Sequence, residues 1–210
     1  MAKTLFITGT DTDAGKTHLG CAILAGLKAR GVRAAGLKPV ASGGRGDAER
    51  LWRHSGLQLG LDEHNPWHFE PAIAPHLAAR QAGRPLSLAA LKDWFGNWRQ
   101  SGADVLLVEG AGGWRVPLND DESFADLAKA LEAEVVLVVG MKLGCINHAL
   151  LTAEAILADG LVLKGWIANA GLGEMACLDD NLAYLEARMP APLLGVAGHC
   201  ADPAGIRLEL

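Results

Sequence analysis

Leu5-Phe-Ile-Thr-Gly-Thr-Asp-Thr-Asp-Ala-Gly-Lys-Thr17 is the stretch that decides the fold. An apolar run enters a polar loop rich in Thr and Asp, and the loop opens into residues 18–30, a mostly apolar stretch that closes on Lys28, Arg30 and Gly31. Strand, loop and helix in that order make a phosphate cradle. The first N–H groups of the helix have no partner within it, glycine lets the backbone approach an anion, and a lysine adds a point charge. Gly15, Lys16 and Thr17 end the loop as the pattern G-x-x-x-x-G-K-[ST] requires. That spacing would place glycine at position 10, where Thr10 stands, and Gly9 lies one residue earlier, so the loop is a variant with one extra residue. A merely capped helix start with an exposed lysine would leave the Thr and Asp content of the loop unexplained.

Outward from this loop, short β-type runs alternate with longer helical patterns. Strands are expected at residues 5–8, 34–40, 103–108, 135–139, 162–168 and 192–196. Helices are expected at 18–30, 47–54, 75–81, 87–99, 124–133, 146–159 and 176–188. The alternation predicts an α/β fold of the three-layer, P-loop NTPase-like kind, a mostly parallel sheet with helices on both faces. Residues 57–100, punctuated by Pro66, Pro71, Pro75 and Pro85, read as the connection between the second and third strands. No linker, repeat or low-complexity segment interrupts the series, so one domain over residues 1–210 is expected.

Composition agrees with a compact chain that needs no staple. Half of its 210 residues are apolar, and a chain of this length buries roughly 70% of the surface it exposes when unfolded. With 19 Lys and Arg against 24 Asp and Glu, the net charge of −5 offers no basic surface to nucleic acid. Cys21, Cys145, Cys177 and Cys200 are too far apart for a zinc knuckle or a C-x-x-C pair and read as free thiols of a reducing compartment. The first apolar run is too short for a signal peptide, and no run approaches the ~18 apolar residues of a membrane span. A cytoplasmic location is the expectation. The seven histidines include no H-E-x-x-H and read as surface or core residues.

Three side chains answer the needs of a nucleotide-bound Mg²⁺, which takes hard oxygen ligands. Thr17 offers a hydroxyl. Glu109 ends the apolar run Val-Leu-Leu-Val, at the carboxyl end of a strand, where parallel sheets open onto their ligand crevice. Asp47 follows the second strand and its glycine-rich loop, and is either a third ligand or a helix N-terminal residue favoured by the dipole. Lys38 interrupts an apolar strand end; it either snorkels to solvent or neutralises charge on a transferring phosphoryl group. A dinucleotide fingerprint beginning at Gly110 fails, because Arg115 stands where its third glycine belongs. The loop also has no lysine before Lys16, which sets it apart from partitioning and metal-centre maturation ATPases.

Along essentially its whole length the chain resembles the dethiobiotin synthetase family. The carriers are Thr8 to Thr17, Gly36-Leu-Lys-Pro-Val-Ala-Ser42, Val108-Glu-Gly-Ala-Gly-Gly-Trp114, Val139-Gly-Met-Lys-Leu-Gly-Cys-Ile-Asn-His-Ala149 and Pro190-Ala-Pro-Leu-Leu-Gly195. The family's phosphate loop has the same extra residue. The resemblance implies ATP-dependent carboxylation and ring closure of 7,8-diaminopelargonic acid with CO₂, with Mg²⁺, ATP as co-substrate and a homodimer. By the same resemblance, Lys38, Lys16 and Thr12 are catalytic. Ser42, Gly112, Asn147 and Leu143 meet the substrate, the last two from across the dimer interface, although Asn147 is equally a helix cap. Asp13, Ala14, Gly15, Lys16, Thr17, His18, Asp47, Glu109, Asn169 and Ala170 would surround the nucleotide, Asn169 reading the adenine edge, and Thr17, Asp47 and Glu109 would hold the metal. Three positions depart from the family: Asp13 stands for a frequent glutamate, the tyrosine that caps the substrate carboxylate aligns near Asn181 with Tyr184 one turn away, and the segment 197–200 replaces a base-contacting Pro-Trp pattern.

Overall fold

The computed structural model describes residues 2–199, 202–206 and 208. Six strands, β1 (Lys3–Gly9), β2 (Ala34–Leu37), β5 (Val105–Glu109), β6 (Glu134–Gly140), β7 (Leu163–Asn169) and β8 (Leu193–Ala197), form one parallel sheet in the order β2-β5-β1-β6-β7-β8. The chain steps from β1 to β2 leaving a place that β5 later fills, and then lays β6 on the far side of β1. The winding therefore reverses beside β1, and the crevice at such a reversal lies beyond the carboxyl ends of the strands.

Successive side chains point to opposite faces of a strand, and the apolar positions obey that period. Phe6, Leu106, Val108, Leu137, Val139 and Trp166 face one layer, while Leu5, Ile7, Leu107, Val136, Val138 and Ile167 face the other. The second face is covered by α1 (Lys16–Ala29) through Leu19, Ile23, Leu24 and Leu27, and by Leu51 of α2 (Gly46–His54). The first is covered by α5 (Leu88–Arg99), α6 (Phe124–Ala130), α7 (Cys145–Ala158) and α8 (Leu178–Glu186) through Leu91, Phe95, Phe124, Leu127, Ala153, Ile156 and Leu185. Each large aliphatic or aromatic side chain so buried contributes ~1.5–3 kcal/mol. Local signals set the ends. Gly31 takes φ 75° beyond α1, the Ser87 hydroxyl accepts from the Ala90 N–H to start α5, and Ser123 and Asp126 close a capping box on α6.

Three expectations need correction. The strand expected at 34–40 is broken: β2 stops at Leu37, and β3 (Val40–Ser42) pairs in parallel with β4 (Trp67–Phe69) in a separate two-stranded sheet. Pro39 has no N–H to give a ladder, and the Lys38 N–H goes to the His64 carbonyl at 3.0 Å instead. The irregular connection also holds β4 and the short α3 (Leu61–His64), which its pattern did not announce; α4 (Pro75–Gln81) lies where it was expected. Two helices are shorter than expected. α6 ends before Glu132, at φ 53°, and α8 begins after Cys177, at φ 56°, both left-handed conformations that a helix cannot continue through. Cys21, Cys145 and Cys177 are free thiols; Cys200 lies outside the described residues.

Candidate active site

The phosphate loop hangs between β1 and β6. The Thr10 N–H donates to the Val138 carbonyl at 2.9 Å, and the Thr10 hydroxyl accepts from the Gly140 N–H at 3.3 Å. Asp13 at φ 57° and Gly15 at φ 95° turn the backbone into the left-handed region on the approach to α1. Only glycine fits the second position: a Cβ at Gly15 would lie 2.1 Å from Asn169 Nδ2. That amide belongs to the scaffold of the loop, since Nδ2 donates to the Ala14 carbonyl at 2.9 Å and Oδ1 accepts from the Gly171 N–H at 3.1 Å. Each end of it keeps one further hydrogen-bonding position. No side chain caps α1 and no acid occupies its first turn, so its N-terminal N–H groups remain open to an anion.

Lys16 folds back over the loop, donating from Nζ to the Asp11 carbonyl at 2.9 Å. Burial, and then the nearby charge of Lys38, pushes its ammonium down from an ordinary 10.5 to about 8. The Asp11 carboxylate pairs with Lys142 Nζ at 2.9 Å, and that bond holds its pKa below the ordinary value.

The carboxyl end of β5 brings up the acid. Glu109 is fully buried; its Oε1 accepts from the Thr17 hydroxyl at 2.9 Å and from Lys38 Nζ at 2.5 Å. Lys38 also donates to the Gly110 carbonyl at 2.9 Å and lies 3.9 Å from Asp47 Oδ2. A buried carboxylate oxygen without a partner is costly, and Glu109 Oε2 has none. This orphaned oxygen, the Thr17 hydroxyl and the Asp47 carboxylate are the hard donors that suit Mg²⁺. Among the described residues no cluster of three or more His, Cys, Asp and Glu could hold a metal without help. A cation here would need phosphate or water oxygens as well.

These groups line a cleft of about 730 Å³. Of the residues singled out in the sequence, Thr12, Asp13, Gly15, Lys16, Thr17, His18, Lys38, Ser42, Asp47, Glu109 and Gly112 meet there. Ala14 is buried behind the loop. Asn169 ends β7 and Ala170 follows it, both outside the cleft lining; Leu143 lies just before α7 and Asn147 in its first turn, both exposed, with Leu143 96% accessible. On α8, Asn181 donates from its amide to the Cys177 carbonyl at 2.7 Å, and Tyr184 packs beneath the Arg188 guanidinium at 3.7 Å. Of the altered segment 197–200, His199 Nδ1 is 3.3 Å from the Gly171 carbonyl.

The sequence reading missed two parts of the lining. Arg50 follows Asp47 by three residues on α2, a spacing that shares a helix face, and its Nη2 lies 3.1 Å from His18 Nδ1. Ala72, Ile73, Ala74 and Pro75 form an apolar wall, and nothing in their pattern distinguished them from a surface loop.

A family model described as an AAA domain matches residues 3–199. The ATP-dependent dethiobiotin synthetase BioD of Pseudomonas paraeruginosa is 50% identical, over 98% of this chain and 94% of that one. The protein of the same name from Cellvibrio japonicus is 50% identical over 99% and 96%. That from Pseudomonas aeruginosa strain UCBPP-PA14 is 51% identical over 98% and 94%. Among solved structures, chloroplast FtsY from Physcomitrella patens has a TM-score of 0.57 at 17% identity, over 99% of this chain and 62% of that one. Cell division protein FtsY from Thermotoga maritima gives 0.57 at 13%, over 99% and 65%. At those identities the two structures speak for the P-loop α/β fold alone. Half of all positions shared from end to end, together with the cleft built around the phosphate loop, establish that the chain belongs to the dethiobiotin synthetase family.

Proposed function

We propose that this chain, as one domain, uses ATP and CO₂ to carboxylate 7,8-diaminopelargonic acid and close its ureido ring, giving dethiobiotin, ADP and phosphate. The observation that carries the reading is the convergence of Lys16 and Lys38 on one cleft with Thr17, Asp47 and Glu109. A carbamate and a γ-phosphate repel each other, and bringing them together requires fixed positive charge placed before they arrive.

The uncapped start of α1 and Lys16 bind the β- and γ-phosphates. Lys38, held by Glu109 and by the Gly110 carbonyl, keeps its ammonium beside the path of the attacking carbamate. A carbamate oxygen forms a bond to the γ-phosphorus as the bond to ADP breaks. The second amine then attacks the carbamoyl carbon of the mixed anhydride, and phosphate leaves as the ring closes. Thr12, Ser42 and Gly112 line the side of the cleft that would receive the diamine. Thr17, Asp47 and Glu109 would hold Mg²⁺, which supplies charge neutralisation on the triphosphate. Asn169 and Ala170 would face the base. A homodimer is supported by two exposed apolar side chains, Leu143 just before α7 at 96% accessible and Leu151 midway along it at 56%, so a partner's Asn147 and Leu143 would complete the carboxylate end. Among the described residues no helix is long and apolar enough to cross a membrane.

The test is phosphate release in a coupled assay. Release is expected only when diamine and bicarbonate are both present; equal hydrolysis without the diamine would identify a switch-type ATPase instead.

A further inference from the structure

Lys38 stands where the main sheet ends and the small sheet begins, followed by Pro39, and both of its backbone polar groups are bound by consecutive residues of a distant segment. Its N–H donates to the His64 carbonyl at 3.0 Å, and its carbonyl accepts from Asn65 Nδ2 at 2.6 Å. Asn65 is fully buried. Both of its amide hydrogens are used, since Nδ2 also reaches the Trp67 carbonyl at 3.3 Å, and Oδ1 accepts from Arg45 Nε at 3.1 Å. The Arg45 guanidinium further donates to the Asn65 carbonyl at 3.1 Å and pairs with Asp62 at 2.8 Å. Arg45 is the residue on which α2 starts, and the first turn of α2 carries Asp47. A single buried amide thus joins the peptide of Lys38 to the anchor of the helix that holds Asp47, whose carboxylate is 3.9 Å from Lys38 Nζ.

We propose that Asn65 is a positioning residue that holds Lys38 and, through Arg45, Asp47 in register with the phosphate loop. The proposal rests on Lys38 acting on the γ-phosphate, as above. The chemistry asks for asparagine at this place. One planar group must donate to a carbonyl and accept from a guanidinium at once, whereas aspartate could only accept and would face the Lys38 carbonyl with a lone pair. Lys38 has no other bond to its backbone carbonyl among the hydrogen bonds of the described residues, so losing Asn65 frees the peptide from which the catalytic ammonium projects.

Asn65→Ala, Asn65→Asp and Arg45→Met test it, the last because Arg45 reaches the surface and its loss leaves the core intact. Diamine- and bicarbonate-dependent kcat is expected to fall about tenfold or more in the Asn65 variants and at least about threefold in Arg45→Met, the scale of misplacing a catalytic group by under an ångström. ATP affinity, measured by equilibrium binding without Mg²⁺ so that Asp47 does not enter, should stay within about twofold, since the phosphate loop is untouched. Hydrogen exchange should rise over residues 36–47 and stay unchanged in α1. A kcat near that of the parent, or a loss of ATP affinity in parallel with kcat, overturns the proposal; should Asn65→Ala fail to fold, Arg45→Met decides. Parent enzyme without diamine-dependent turnover would reject the reaction instead, and the exchange of residues 36–47 would still judge the role of Asn65.

Discussion

Lys16 carries a charge that its burial and the nearby Lys38 do not favour, and this makes ATP affinity depend on pH in a calculable way. The fall from 10.5 to about 8 corresponds to about 3–4 kcal/mol, at ~1.4 kcal/mol per pH unit, spent on keeping the ammonium charged in the free protein. A triphosphate over Lys16 restores the charged form, so the free protein must bind a proton before or with the nucleotide once the pH exceeds about 8. The terminal phosphate, with a second pKa near ~6, is fully ionised throughout that range and adds no slope. The apparent Kd should rise by a factor of about 1.1 at pH 7, about 2 at pH 8 and about 11 at pH 9, close to tenfold or ~1.4 kcal/mol across the two units. Stability of the nucleotide-free protein should move the other way. Between about 8 and 10.5 the unfolded chain binds the proton that the folded one has lost, so the contribution of Lys16 to stability increases with pH there. Calorimetric titration with ATP in buffers of different ionisation enthalpy reads both the Kd and the proton uptake, about half a proton at pH 8. Lys16→Arg, which cannot titrate in this range, should bind with no such slope. A parent Kd that is flat from pH 7 to 9, with no proton taken up, would refute the reasoning.

If the charge of Lys38 acts on the transferring phosphoryl group as proposed, Lys38→Ala should lower kcat by about 100-fold or more while ATP affinity changes little; an unchanged rate removes it from the site. Gly15→Ala places a side chain at φ 95° and 2.1 Å from Asn169 Nδ2, which should cost about 2–4 kcal/mol in left-handed strain and lost amide bonds. Thermal melting should show it as a drop of several degrees, partly relieved by adding Asn169→Ala, and equal melting temperatures would count against the close approach. His64 is buried, shares Nδ1 with the Gly36 carbonyl at 2.8 Å, and has its pKa lowered, mainly by burial. The unfolded chain therefore takes up the proton first as the pH falls below 6.5, and stability declines from there downward. Chemical denaturation between pH 7 and 5 should show a shallower decline in His64→Gln than in the parent; identical slopes would exonerate the imidazole.

The sequence by itself determined what neighbours along the chain decide. The short continuous apolar runs of β1, β5 and β6, the glycine and lysine at the mouth of α1, and the acid at the end of an apolar strand announced a parallel sheet with a phosphate site at its carboxyl edge. Those signals are local, because strand and helix periodicity, caps and the strand–loop–helix cradle each involve residues a few positions apart. Only the tertiary structure decided that the strand at 34–40 breaks at Pro39, since the choice belonged to a carbonyl of His64 that offers Lys38 a bond the sheet does not. It likewise decided that Asn169 props up a loop 155 positions away and that Asn65 clamps Lys38. Such pairings bring together groups that are unremarkable apart, and a polar side chain acquires its one partner only when packing has excluded water and every other donor from its reach.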